Sequence, residues 1–412
     1  MADRHVTYAL IGGGLAAGNC ARWLRESGAD GEILLIGRES DLPYNRPDCS
    51  KGYLQGKASR EDTLFRPADW YSEQQVEALT RVSVKGLDLS ERSVELTDGQ
   101  EVSFDKALLA TGAGVRRLSV PGAELEGIHY LRTLGNSDTI REDASGKRVV
   151  LIGGSYIATE VAASLTERGS SCSLVMLESV ALSRHFGEQA GRFFQSRLEE
   201  HGIELHGDDE LDHFEGTDGR VTRVVTKSGR TLDADAVVIG VGAVPDVRLA
   251  RTAGLEIGDL GGVVVDARLQ TAVPGVFAAG DIAEYESVVH GGRRLRIEHW
   301  DVAFNQGKTA ALNMLDRDQP HDVVPYFFSD LSDWASLEYI GPAHEWEQEV
   351  VRGSIDDGAF TIFYLHDGRV AGALAVGRSD DLEHARRLLT DGTDVTDRVG
   401  DLQDVSSDLG SV

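Results

Sequence analysis

Cysteine is scarce in this chain: among 412 residues only Cys20, Cys49 and Cys172 occur, and no C-x-x-C spacing joins any two of them. That removes a dithiol redox centre of the disulfide-reductase kind and fits a reducing compartment, so the cytoplasm is the expected location. Long apolar runs are missing too. No stretch approaches the roughly 18 consecutive apolar residues that span a bilayer, so no membrane span is expected. The one apolar N-terminal segment, residues 8–17, holds three consecutive glycines and leads into an amphipathic stretch, the pattern of a nucleotide-binding turn rather than of a signal peptide. Positive charge is short as well: 41 Lys and Arg against 68 Asp and Glu give a formal net charge of -27, with lysine only at positions 51, 57, 85, 106, 147, 227 and 308. Such a surface disfavours nucleic acid and, by itself, repels an acidic protein partner.

Glycine, in contrast, is plentiful at 47 residues, and two groups of it carry chemistry. Tyr8-Ala9-Leu10-Ile11-Gly12-Gly13-Gly14-Leu15-Ala16-Ala17 and Val149-Val150-Leu151-Ile152-Gly153-Gly154-Ser155-Tyr156-Ile157-Ala158 each read as strand, glycine turn and helix. The glycines permit a tight turn and close backbone approach. The free N–H groups and positive dipole end of the following helix then hold a pyrophosphate. Two dinucleotides in one chain without a thiol pair read as a flavin and a nicotinamide. No metal is expected, because His201, His206 and His213 lie in a loop-rich stretch with no cysteine partner and no helical i, i+4 pair.

The first unit continues as a helix with Ala17, Ala21 and Leu24 on one face and a strand at 32–36. Hairpin-like segments between Val82 and Leu109 turn at Asp98-Gly99 and end in Ala110-Thr111-Gly112, with a hinge at Gly112 and Gly114. The pattern begins again at Arg148, runs to the buried strand 236–239, and returns through the cluster ending at Gly242 and Pro245. After Gly280-Asp281 comes a helix over 302–315. Beyond Pro325, alternating segments and a helix near 381–389 form a small α+β module. The stretch 391–412 is acidic, Ser-rich and aperiodic, and reads as disordered. The expected domains are 1–113 with 244–324 for the flavin, 114–243 for the nicotinamide, 325–398 for the module and 399–412 for an acidic disordered tail.

The two fingerprints, Ala110-Thr111-Gly112, Gly280-Asp281, and above all Ile297-Glu298-His299-Trp300-Asp301-Val302-Ala303-Phe304-Asn305-Gln306-Gly307 resemble the flavoprotein ferredoxin reductases of aromatic-ring dioxygenase and haem monooxygenase systems. Pro325-Tyr326-Phe327-Phe328-Ser329-Asp330 resembles the start of their C-terminal module. The resemblance implies an α/β fold with two Rossmann-like, three-layer, glutathione-reductase-like dinucleotide domains and a small α+β C-terminal domain. It also implies FAD and NADH as cofactors. By the same resemblance Gly12, Gly14, Leu15 and Ala16 touch the FAD pyrophosphate, and Asp281 holds the ribityl chain. Val84, Ala110, Thr111, Gly112, Arg132, Gly280, Glu298, His299 and Trp300 join that site. Gly153, Gly154, Ser155, Tyr156, Ile157 and Gly242 serve the nicotinamide nucleotide. Lys51, in Arg46-Pro47-Asp48-Cys49-Ser50-Lys51, resembles the family's lysine near flavin N5, and Glu160 resembles its ion-pair partner. With Trp300 these form the expected catalytic set.

Several positions have a physical reading of their own. Glu178 follows Gly153 by 25 residues, near the spacing at which a carboxylate takes the adenosine ribose 2′-hydroxyl and repels a 2′-phosphate, so NADH is expected over NADPH. Ser155 stands where the fingerprint prefers glycine, with a Cβ that loosens binding or a hydroxyl that bonds phosphate. In the first unit Arg38 occupies the position of the usual acid and Glu39 follows it, leaving either as the adenosine contact. Cys49 reads as a small apolar wall rather than a sulfenic-acid centre. An acidic ferredoxin needs a local basic face, for which Arg293, Arg294 and Arg296 are candidates against a solvated hairpin turn. The function expected is transfer of electrons from NADH through FAD, singly, to a ferredoxin-type iron–sulfur protein feeding an oxygenase. NADH oxidase or peroxidase, monodehydroascorbate-reductase-like and apoptosis-inducing-factor-like redox-sensor readings are the alternatives, in a monomer or homodimer.

Overall fold

The computed structural model describes residues 2–342 and 345–412. The chain forms two compact units: residues 1–46, 60–114 and 243–323 make the first, and residues 47–59, 115–242 and 324–412 the second. The segment 47–59, expected with the flavin domain, therefore belongs to the second unit, as does the C-terminal module.

In the first unit a parallel sheet runs through Val76–Leu79, Ile33–Ile36, Arg4–Ile11 and Glu101–Leu109, with Val276–Ala278 also paired to the last of these. The strands Ile33–Ile36 and Val276–Ala278 are buried throughout, the continuous apolar pattern of strands covered on both faces. An antiparallel edge of Ser93–Leu96 and Val84–Asp88 extends the sheet. The helices Leu15–Glu26 and Trp300–Met314 contact one another closely, and Gly307 makes that possible, since a Cβ there would lie 2.4 Å from the Ala16 carbonyl oxygen.

The same unit contains a buried histidine with a consequence for stability. His321 is 2% exposed, its Nδ1 lies 3.1 Å from Thr309 Oγ1, and its ring meets Tyr285 edge-on at 5.3 Å. Burial pushes its pKa down to about 4. The folded state thus prefers the neutral ring, so its contribution is complete above the ordinary value near 6.5 and is lost as pH falls towards about 4. The expected loss is about 1.4 kcal/mol per pH unit across that window. Denaturant titrations at pH 7.5 and 5.5 check this: His321→Gln should flatten the difference, and an equal difference in both proteins would assign it to other groups.

The second unit contains a five-stranded parallel sheet in the order Glu204–His206, Ser171–Val175, Arg148–Ile152, Ala236–Ile239 and Ile128–Tyr130. An antiparallel three-stranded sheet spans Leu211–Asp233. The C-terminal module is an antiparallel sheet in the order Tyr326–Leu331, Ala335–Ile340, Arg369–Val376, Ala359–His366 and Gln348–Ser354, with the helix Asp381–Asp391 against it. The expectation of a disordered tail from 399 is corrected by the structure. Val399–Gln403 is helical, Leu402 and Leu409 are buried, and the guanidinium of Arg352, 4% exposed, donates to the carbonyls of Asp401, Leu402, Asp404, Val405 and Ser407. A segment of acidic composition is ordered because its backbone satisfies a buried cation.

Candidate active site

Both glycine turns are built by the same constraint. Gly12 has φ +141°, and a Cβ there would lie 2.0 Å from the Ala110 carbonyl oxygen; Gly153 has φ +126°, and its Cβ would lie 2.3 Å from that of Gly240. Each first glycine is thus pressed against backbone just past the end of a neighbouring parallel strand, where no side chain fits. Gly14 is different: a Cβ there meets nothing within 4 Å, so its outer side is open. The helix Leu15–Glu26 begins at Gly14 and the helix Tyr156–Glu167 at Ser155, and neither has a side-chain cap. Open backbone, uncapped N–H groups and the dipole end are what a pyrophosphate requires, so both turns fit a dinucleotide.

Around the first turn, Ala110 is buried, Gly112 has φ +69°, and Thr111 Oγ1 donates to the Asp246 carbonyl at 2.7 Å. Gly280 and Asp281 open a short 3-10 turn whose first N–H is held at 2.8 Å by Oε1 of buried Gln306. Val84 begins an edge strand. Arg38 is ion-paired with Asp246 at 2.8 Å. Glu39 accepts from the Tyr44 hydroxyl at 2.6 Å and from Arg46 at 2.9 Å. His299 is the N-cap residue of the helix Trp300–Met314; Trp300 donates its Nε1–H to Asn45 Oδ1 at 3.0 Å and stacks on Phe304 at 5.1 Å. Of the three arginines proposed from sequence as a docking face, Arg294 is drawn to the carbonyls of Val265 and Glu284, and Arg296 to those of Leu260 and Asp281 and to Glu298. Arg293 is the exposed residue of the set whose head group has no such tie among the described residues.

In the second unit, Ser155 Oγ and His185 Nε2 share a hydrogen bond at 3.1 Å, a pairing that sequence reasoning missed. His185 also lies against the Tyr156 ring at 4.8 Å, and Tyr156 meets Phe327 at 4.5 Å, so this turn carries an aromatic wall. Ile157 is exposed beside it. Glu178 Oε2 comes to 3.1 Å from where a Gly154 Cβ would sit, which places the carboxylate at the turn. Gly242 has φ +100°, and its carbonyl accepts from the Arg116 N–H at 3.0 Å. The Arg132 N–H donates to Asn136 Oδ1 at 3.2 Å.

Lys51 and Glu160 also meet in this unit. Glu160 is 5% exposed, and its carboxylate accepts from Lys51 Nζ at 2.8 Å, Ser50 Oγ at 2.6 Å and Ser329 Oγ at 2.6 Å. Three donors on one buried carboxylate offset its desolvation and fix its position. Gly52–Gln55 is a short helix beginning just after Lys51, and Gln55 reaches Ser164 Oγ at 3.2 Å, so the loop bearing the lysine is anchored along the glutamate's own helix. Spacing alone could not reveal this pair, whose members are 109 positions apart; the two serines were not singled out.

The chain matches the family model described as pyridine nucleotide-disulphide oxidoreductase over residues 6–307, and the one described as reductase C-terminal over residues 326–412. The biphenyl dioxygenase system ferredoxin--NAD(+) reductase component of Paraburkholderia xenovorans is 35% identical over 407 residues, 98% of this chain and 97% of that protein. Apoptosis-inducing factor 3 of Homo sapiens is 30% identical over 403 residues, 98% of this chain, which spans only 66% of that protein. Among solved structures, the covalent putidaredoxin reductase–putidaredoxin complex contains a chain matched with a TM-score of 0.92 at 31% identity, covering 100% of this chain and 98% of that one. The chain therefore belongs to the pyridine nucleotide-disulphide oxidoreductase family, carries a C-terminal reductase domain, has ferredoxin reductases among its relatives, and is a flavin and pyridine-nucleotide oxidoreductase.

Proposed function

We propose that this chain is an NADH:ferredoxin oxidoreductase that delivers electrons one at a time to an acidic ferredoxin-type iron–sulfur protein feeding an oxygenase. The observation that carries this reading is that Cys20, Cys49 and Cys172 are the only cysteines of the sequence, lie far apart along it and are all buried, so the scaffold lacks the dithiol after which its family is named. Electrons then have no dithiol to occupy and pass to an external acceptor. Bound FAD supplies the exchange between two-electron and one-electron chemistry. Gly12, Gly14 and the helix start behind them hold its pyrophosphate, and Asp281 its ribityl chain. Gly153, Gly154 and Ser155 hold the pyridine nucleotide, and Glu178 accepts its ribose hydroxyl while repelling a 2′-phosphate. Lys51, fixed in place by Glu160, stabilises negative charge gained on reduction. Arg293 contributes local positive charge for a small, salt-sensitive encounter with the acceptor.

Anaerobic reduction followed by stopped flow tests the proposal. NADH should bleach the flavin, the reduced protein should pass electrons to a ferredoxin faster than to oxygen, and kcat/KM for NADPH should be at least about tenfold lower than for NADH. Glu178→Gln should erode that preference. Equal turnover of NADPH, or oxygen consumption that a ferredoxin does not outpace, would overturn the respective parts.

A further inference from the structure

The Lys51–Glu160 pair has a third charged member. Lys51 Nζ lies 3.5 Å from Asp330 Oδ2 and donates to the Asp330 carbonyl at 3.3 Å, while making its shorter contact to Glu160 at 2.8 Å. Asp330 belongs to Tyr326–Leu331, the edge strand that opens the C-terminal module. The adjacent Ser329 is the residue that bonds Glu160, so two successive positions of one strand grip both members of the pair. The two carboxylates are not equivalent. Glu160 is 5% exposed and takes three donors, whereas the Asp330 side chain is 37% exposed and lies farther from the ammonium. Glu160 is the fixed anchor; Asp330 is the adjustable one.

Resting on the function proposed above, we propose that Asp330 is a positioning residue for Lys51: a second carboxylate, contributed by the C-terminal module, that steers the ammonium held by Glu160. One lysine between two acids has two directions in which to relax, and its site depends on both. The module thereby contributes to the redox machinery itself.

Asp330→Asn removes the charge and leaves the backbone contact. With only seven lysines, 15N-lysine labelling resolves the ammonium signals, and Lys51→Met assigns the one that matters. In Asp330→Asn the Lys51 ammonium protons should exchange about fivefold faster, as expected for loss of one partly exposed ion pair. Single-turnover flavin reduction at saturating NADH should fall by a similar factor with half-saturation unchanged, and Asp330→Glu should recover most of it. On a Lys51→Met background the substitution should have no further effect on the rate. Unchanged ammonium exchange, or an equal loss of rate on the Lys51→Met background, would overturn the proposal. If NADH does not reduce the flavin at all, the functional reading fails while ammonium exchange still decides the role of Asp330.

Discussion

Lys51→Met should slow anaerobic flavin reduction by NADH roughly a hundredfold, the scale seen when one preorganised electrostatic group is removed from an active site. Bound flavin per chain should stay the same, because no part of the glycine turn that fits its pyrophosphate is altered. The variant should also be less stable. Glu160 is 5% exposed and, among the described residues, would keep only Ser50 and Ser329 as donors, leaving a buried carboxylate without a counter-charge there. Breaking a buried pair in this way costs about 3–5 kcal/mol, whereas replacing both partners by apolar groups is often close to neutral. The double variant Lys51→Met/Glu160→Leu should therefore regain much of the lost thermal stability without regaining the rate. Stopped-flow reduction and melting of the three proteins separate the two contributions. If the double variant regained both, Lys51 would be structural and its role in electron transfer would be refuted.

Truncation after Arg398 should destabilise the C-terminal module by about 3–5 kcal/mol, the scale for stripping partners from a buried charge. In the intact chain Arg352 is 4% exposed, and its guanidinium reaches Asp381 at 3.5 Å and five carbonyls between positions 401 and 407. Removing residues 399–412 also uncovers the sites of Leu402 and Leu409, which are 0% and 3% exposed. The expected fall in Tm is roughly 10 °C. Arg352→Met in the truncated chain should recover part of it by removing the stranded cation. A truncated chain that melts with the full-length one would show that the tail adds nothing to the fold.

That tail also shows where sequence reading stops. Its composition is acidic and serine-rich, and composition describes side chains, whereas what holds the segment is the carbonyl row accepting from an arginine about fifty positions earlier. Two buried leucines seven apart are too sparse to register as a period. The glycine turns, by contrast, were legible, because glycine is forced wherever backbone presses on backbone, and that local demand is written in adjacent letters. The residues about Lys51 fall between these cases. Lysine and glutamate at positions 51 and 160 acquire meaning only from family likeness, and Ser50, Ser329 and Asp330 lay inside quoted motifs without any sign that they converge. His185 is similar: nothing in its neighbourhood marks it as the partner of Ser155. The grouping of segment 47–59 with the second unit leaves no mark in the sequence, because the chain leaves the first unit and returns within thirteen residues, too briefly for composition to change.

The matched seating of Gly12 on Ala110 and of Gly153 on Gly240 sets how each turn tolerates change. Each half presses the first glycine of its turn against the carbonyl that follows a parallel strand. Alanine at either first glycine would drive its Cβ into that carbonyl oxygen, so one replacement disables each half in the same way. The third turn position is where the halves part: Gly14 leaves bare backbone, whereas Ser155 brings a hydroxyl, so only the second turn can be tuned through a side chain there.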